Sequence, residues 1–159
     1  MIVSESMRAR RIYNLKDIFA VTRILYNCGK DMARQYDIHH WDNSKIKTLL
    51  IVIICAIKNH IFVVENDNMI VATYQTTIKD KSLHFEKLAV EPQHNGKGIG
   101  SFCLQEIEKE ARDNGCRNVE MDVYSKSEHA IQFYINHGYT HVKNNNTLKY
   151  EILCFEKGI

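Results

Sequence analysis

Leu88-Ala89-Val90-Glu91-Pro92-Gln93-His94-Asn95-Gly96-Lys97-Gly98-Ile99-Gly100-Ser101 joins a strand end, a proline stop and a glycine cluster. Helical periodicity follows, with Phe102, Leu104, Ile107 and Ala111 on one face and Asn114-Gly115 as the stop. Glycine permits positive φ and close backbone approach to a ligand. The first turn of a helix leaves N–H groups without helical partners and carries partial positive charge. Strand, glycine loop and helix N-terminus together form a backbone cradle for a diphosphate. A plain tight turn is the competing reading of the same glycines. Two nucleotide motifs are excluded. There is no GxxxxGK[ST], and GxGxxG fails because Gly98-Ile99-Gly100 runs on into Ser101, Phe102 and Cys103.

Before the loop, period-two patterning predicts strands over 61–65, 69–77 and 83–90, separated by Asn66-Asp67-Asn68 and Lys79-Asp80. This is an antiparallel meander, the wrong setting for the first turn of a dinucleotide-binding unit. Further upstream, residues 7–13 predict a short exposed strand carrying Arg8, Arg10 and Arg11. These read either as a solvated edge or as an anion contact. Asn14 is the expected N-cap of a helix through Leu15, Ile18, Phe19, Thr22 and Leu25 that ends near Cys28-Gly29, with a second helical stretch to Tyr36. Residues 37–43, with His39, His40 and Trp41, read as a loop. Ser44 opens a helix to Lys58, which its isoleucines predict to be largely buried.

After the loop helix come a strand over 119–124, a short helix over 127–137 stopped at Gly138, and strands over 139–142 and 148–155. The order is β-α-α-β-β-β-α-β-α-β-β, an α/β fold with a mixed, mostly antiparallel sheet flanked by helices. The crossover from 83–90 to 119–124 is expected to be parallel. No repeat or linker divides residues 1–159, so a single domain is expected.

The stretch from Leu88 to Ser101 resembles the acetyl-CoA motif of the Gcn5-related N-acetyltransferase (GNAT) family, whose [QR]-x-x-G-x-[GA] loop grips the pyrophosphate of coenzyme A. Ala130-x-x-Phe133-Tyr134-x-x-x-Gly138-Tyr139 resembles the family's second block. The likeness is specific over about 83–142. Asn95 stands where Gln or Arg is usual, although Gln93 to Gly98 spells Q-x-x-G-x-G in an earlier register. Ser127 stands where the family often has asparagine.

The resemblance implies direct acetyl transfer from acetyl-CoA to a primary amine within a ternary complex. It implies cofactor contacts from Leu88, Ala89, Val90, Asn95, Gly96, Lys97, Gly98, Ile99, Gly100, Ser101, Ser127 and Tyr134. Acyl transfer requires amine deprotonation, oxyanion stabilisation and a donor to the leaving thiolate. By resemblance Tyr134 donates to sulfur and a backbone N–H at or near Val90 serves the oxyanion. His84 and Glu86, which alternate with Leu88 onto one strand face, are the base candidates. A mechanism without a dedicated base is the third option. A non-catalytic coenzyme A sensor or regulatory module is the alternative function, and Tyr134 argues for the enzyme.

Composition bounds the rest. Hydrophobic residues make up 45% and charged residues 25%, an ordinary globular balance. A net charge of +2 gives no case for nucleic acid. The longest apolar run, Leu49 to Ile57, is far short of the ~20 residues of a membrane span, and residues 1–11 lack a signal-peptide core. Five cysteines without a CxxC pair read as reduced and largely buried. No zinc spacing appears; His39 and His40 read as loop residues, and His137 and His141 flank a turn with no carboxylate or cysteine at ligand spacing. The expectations are a cytoplasmic protein, a small-molecule or peptide amine acceptor, no membrane, no metal and, on the general frequency of two-fold assemblies, a homodimer.

Overall fold

The computed structural model describes residues 6–39, 44–58 and 60–159. His40 and Trp41 lie outside them. The elements are β1 (Arg8–Arg11), α1 (Leu15–Tyr36), α2 (Lys45–Lys58), β2 (His60–Asn66), β3 (Met69–Lys79), β4 (Ser82–Val90), α3 (Ile99–Asp113), β5 (Asn118–Tyr124), α4 (Glu128–Asn136), β6 (Thr140–Asn144) and β7 (Ile152–Gly158). A 3-10 turn, Pro92–His94, stands between β4 and α3. The strands form one sheet in the order β1-β2-β3-β4-β5-β7-β6. β1–β2, β2–β3, β5–β7 and β6–β7 are antiparallel, and β4–β5 is parallel as the crossover rule requires. Asp67 and Asn68 (φ +51 and +63°) and Asp80 and Lys81 (φ +50 and +63°) close the two hairpins in the doubly left-handed form that matches strand twist.

The chain falls into two compact units: residues up to Thr76 with Lys87–Glu106, and Thr77–Glu86 with Ile107–Ile159. In the first, Val21, Ile24 and Leu25 of α1 and Val52 of α2 pack with Ile61, Val63 and Ala89. The start of α1 is capped reciprocally. Asn14 Oδ1 accepts from the Asp17 N–H (2.9 Å), and Asp17 Oδ2 accepts from the Tyr13 N–H (3.0 Å). Arg10 donates to both oxygens of Asp17 (2.7 and 2.9 Å) and to Glu65 (2.8 Å). It is therefore an internal ion-pair residue, neither a solvated edge nor an anion contact.

Two readings of this unit change. α1 runs unbroken through Cys28-Gly29 and stops at Asp37, whose left-handed backbone (φ +55°) returns its N–H to Ala33 O. Gly29 is buried, and the packing around it outweighs the roughly 1 kcal/mol that glycine costs in a helix. α2, expected to be largely buried, buries only Thr48 and Val52. Ile46, Leu50, Ile53, Ile54 and Ile57 recur at helical spacing on an outer face, with Leu50 56% and Ile57 81% exposed. A helix lying on one side of a sheet covers one stripe only, however apolar its other side is.

In the second unit, Leu83, Phe85, Val119, Met121, Ile107, Ala111, Tyr139 and Phe155 are buried. β7 inserts between β5 and β6. It begins at Ile152, later than its apolar residues suggested, because Thr147 and Tyr150 bond to each other and Asn146 Oδ1 accepts from the Ile152 N–H (3.3 Å). These side-chain bonds hold 145–151 as a loop.

Candidate active site

The glycine loop lies in the first unit. Gly96 (φ +76°) and Gly98 (φ +80°) take the left-handed backbone that side chains disfavour. A Cβ at Gly96 would meet nothing within 4 Å, so the space over that glycine is open to a ligand. Asn95 N–H donates to Pro92 O (3.2 Å), which closes the 3-10 turn. The first bond of α3 runs from Phe102 N–H to Gly98 O (3.0 Å). The helix thus starts at Ile99, inside the glycine motif and two residues earlier than expected, and offers no carbonyl to the N–H groups of Ile99 and Gly100. Lys97 Nζ lies 3.4 Å from His94 Nδ1 beside the loop. Glycine freedom, helix start and nearby cation fit the demands of a diphosphate.

β4 carries the base candidates. Its parallel ladder with β5 comprises Ser82↔Asn118, Leu83↔Val119 and His84↔Glu120. Leu83 and Phe85 are buried, His84 is half-buried and Glu86 is exposed, as strict alternation predicts. Lys87 then takes φ +53° and interrupts the alternation. The face expected to join His84, Glu86 and Leu88 therefore ends at Glu86. Leu88, Ala89 and Val90 follow as a separate segment in the first unit.

Tyr134, on α4, is buried. Its ring packs against Phe85 (6.0 Å), Phe133 (5.3 Å) and Tyr139 (6.0 Å between centroids). The Tyr-x-x-x-Gly-Tyr spacing is a helix cap: Tyr139 N–H donates to Tyr134 O (3.1 Å) and Gly138 N–H to Ile135 O (3.0 Å). Gly138 stands at the left-handed position (φ +87°), with the two tyrosines as the apolar pair that accompanies this motif. Tyr139 donates to Glu108 (3.4 Å), which also holds Lys157 (2.8 Å). Burial, then the Glu108 charge, pushes the Tyr139 phenol far up, so it stays protonated. The same cap fixes the Tyr134 backbone.

Ser127 is 4% exposed, and its Oγ has no hydrogen-bond partner among the described residues. Its backbone is fully used, N–H to Tyr124 O (2.9 Å) and C=O from the Ile131 N–H (3.0 Å). An orphaned buried hydroxyl at the position matched to a cofactor contact fits a ligand that supplies the partner.

An open cavity of about 420 Å³ in the second unit is lined by His84, Glu120, Asp122, Lys143, Cys154 and Glu156, among others. Glu86 does not line it. Sequence reading missed the carboxylates of β5 and β7. Their signal was there, since Glu120 and Asp122 alternate with buried Val119, Met121 and Val123, but the pairing with β7 brings them together (Glu120↔Glu156, Asp122↔Cys154). Burial, helped by a bond to Asp122, pushes the Cys154 thiol up to about 11. All five cysteines are free thiols. No cluster of three metal-ligating side chains occurs among the described residues. His39 bonds Asp37 (2.9 Å), His137 bonds Phe133 O (2.7 Å) and His141 bonds Asn144 (2.8 Å). Among the described residues no helix is long and apolar enough to cross a membrane.

Residues 58–141 match the family model of the acetyltransferase (GNAT) domain. The chain belongs to the GNAT acetyltransferase family, in which acetyl-CoA-dependent transfer is general. It is 29% identical over 59 residues to thialysine N-epsilon-acetyltransferase of Bos taurus, a match spanning 37% of this chain and 35% of that protein. Among solved structures it resembles an acetyltransferase of Thermus thermophilus (TM-score 0.81, 13% identity, 97% of each chain). It also resembles the PaiA N-acetyltransferase of Thermoplasma acidophilum in complex with coenzyme A (TM-score 0.76, 16% identity, 97% of this chain and 99% of that one). A third is the ribosomal-protein-S18-alanine N-acetyltransferase of Escherichia coli (TM-score 0.73, 14% identity, 96% and 94%). These likenesses show a shared fold.

Proposed function

We propose that the chain transfers an acetyl group from acetyl-CoA to a primary amine, directly within a ternary complex. The observation that carries this reading is the left-handed backbone at Gly96 and Gly98, open over Gly96, leading into the start of α3. Backbone N–H groups from Gly96 to Gly100 would hold the pyrophosphate, with Asn95 and Ser101 contributing side-chain contacts at the edges of the loop and Lys97 adding charge. Leu88, Ala89 and Val90 would line the pantetheine arm, and Ser127 would give the cofactor one hydrogen bond. Bound acetyl-CoA supplies an activated thioester. The chain's own contribution is a hydrogen bond from near Val90 N–H to the developing oxyanion, a proton from the Tyr134 hydroxyl for the departing sulfur, and removal of the amine proton. His84 is favoured over Glu86 for the last role because it lines a cavity. The relative from Bos taurus is by its name a thialysine N-epsilon-acetyltransferase, which supports an amine as the acceptor class.

The test is thiol release from acetyl-CoA with a panel of diamines, amino acids and peptide N-termini. Amine-dependent release that falls in Tyr134→Phe is expected. Coenzyme A binding without turnover on any amine would instead make the chain a coenzyme A-binding module.

A further inference from the structure

Glu91 stands between Val90 and Pro92, where β4 ends and the cofactor loop begins. It is 5% exposed. A buried carboxylate is costly unless paired and hydrogen-bonded, and here both oxygens are used. Asn27 Nδ2 donates to Oε1 at 2.6 Å and Arg23 Nε to Oε2 at 3.2 Å. Arg23 also donates to Ile70 O (3.0 Å). The backbone of Glu91 is tied as well: its N–H donates to Val71 O (2.8 Å) and its C=O accepts from the His94 N–H (2.8 Å). One residue earlier, Cys28 Sγ donates to Val90 O (3.1 Å). Burial pushes the Cys28 thiol up to about 12, so it remains the donor. Arg23 and Asn27, four residues apart on α1, share a helix face, and Cys28 follows on the adjacent side. This stretch of α1 grips two consecutive residues at the strand-to-loop junction.

We propose that Glu91, held by Asn27 and Arg23, is the positioning residue that sets the height of the cofactor loop and the direction of the Val90 peptide. This rests on the acetyl-CoA reading of the loop. A negative charge at the mouth of a diphosphate cradle would repel the ligand. Arg23 offsets that charge and Asn27 hydrogen-bonds it, which converts it into an anchor. Glu91 itself touches no substrate.

The experiment measures coenzyme A affinity by calorimetry, KM and kcat with acetyl-CoA, and melting temperature for four proteins: wild type, Glu91→Ala, Asn27→Asp and the double variant Asn27→Asp/Glu91→Gln. Glu91→Ala and Asn27→Asp, which sets two carboxylates against each other, should each weaken coenzyme A binding and raise KM by about tenfold or more, with kcat moving less. In the double variant the amide introduced at position 91 donates to the carboxylate introduced at position 27, and its oxygen stays available to Arg23. Affinity should then return to within about threefold of wild type. Should Glu91→Ala fail to fold, Asn27→Ala reads the same effect without touching the loop. Variants that melt lower yet bind coenzyme A as wild type does would overturn the positioning role alone. So would a double variant no better than Asn27→Asp. A wild type that binds no coenzyme A would overturn the acetyl-CoA reading and this proposal together.

Discussion

Replacing Gly96 by alanine separates what the loop does for folding from what it does for binding. Gly96 has φ +76°, and a Cβ there meets no atom within 4 Å. The folded chain therefore loses only what the left-handed backbone costs, about 1–2 kcal/mol, with no clash to add. For a chain of this size that lowers the melting temperature by a few degrees. Gly115 is the internal control. It also has positive φ (+68°) and open surroundings, and it stands where α3 ends. It completes a helix cap in which Cys116 N–H donates to Ala111 O (2.9 Å) and Gly115 N–H to Arg112 O (3.0 Å). Gly115→Ala should cost similar stability and leave the ligand untouched. If the open face of Gly96 is where the diphosphate approaches, Gly96→Ala should lose at least tenfold in coenzyme A affinity, about 1.4 kcal/mol. Calorimetric titration of coenzyme A alongside thermal melts reads both quantities. Equal affinities for the two variants would refute the assignment of this loop to the pyrophosphate.

Tyr134→Phe keeps the ring contacts with Phe85, Phe133 and Tyr139, and kcat should fall by about a hundredfold while KM for acetyl-CoA changes little; an unchanged kcat removes the proton-donor role. The Arg10 bond holds the Asp17 carboxyl below its usual value, so folding is supported above the unfolded carboxyl value of about 4 and loses that support as pH falls through the lower folded value. Urea unfolding between neutral and acid pH should show Asp17→Asn with a shallower acid loss than wild type, and Asp17→Ala should cost about 3 kcal/mol at neutral pH. On α2, Ile54→Lys should stay within about 0.5 kcal/mol because its side chain is half exposed, whereas Val52→Ala, at 2% exposure, should cost about 2 kcal/mol. A large loss for Ile54→Lys would mean that the outer stripe is covered.

Features governed by neighbours close in sequence were legible in the chain. Asn14 announces a cap, Asp67-Asn68 a left-handed hairpin, and Gly96 to Gly100 a glycine loop leading into a helix. The order of elements follows from the change between periods 2 and 3.6, and with it the parallel crossover of β4 and β5. Where remote partners decide, the chain was silent. Arg10 looks like part of a basic cluster until Asp17 and Glu65 surround it, and Glu91 is an ordinary position until α1 brings Arg23 and Asn27 to it. Alternation in β4 fails at Lys87 because one residue takes a backbone state that hydropathy does not encode.

The sequence by itself therefore determined the class of fold, and it carries the family pattern in which Gly96 to Ser101 and Tyr134 are the expected cofactor contacts. Both readings rest on local periodicity and short motifs. Only the tertiary structure decided that α2 keeps an apolar stripe outside, that His84 and not Glu86 lines the cavity beside Glu120 and Glu156, and that a buried carboxylate anchors the loop. Those outcomes depend on which surfaces meet across long stretches of chain, and side-chain burial and pairing follow from that meeting rather than from residue type.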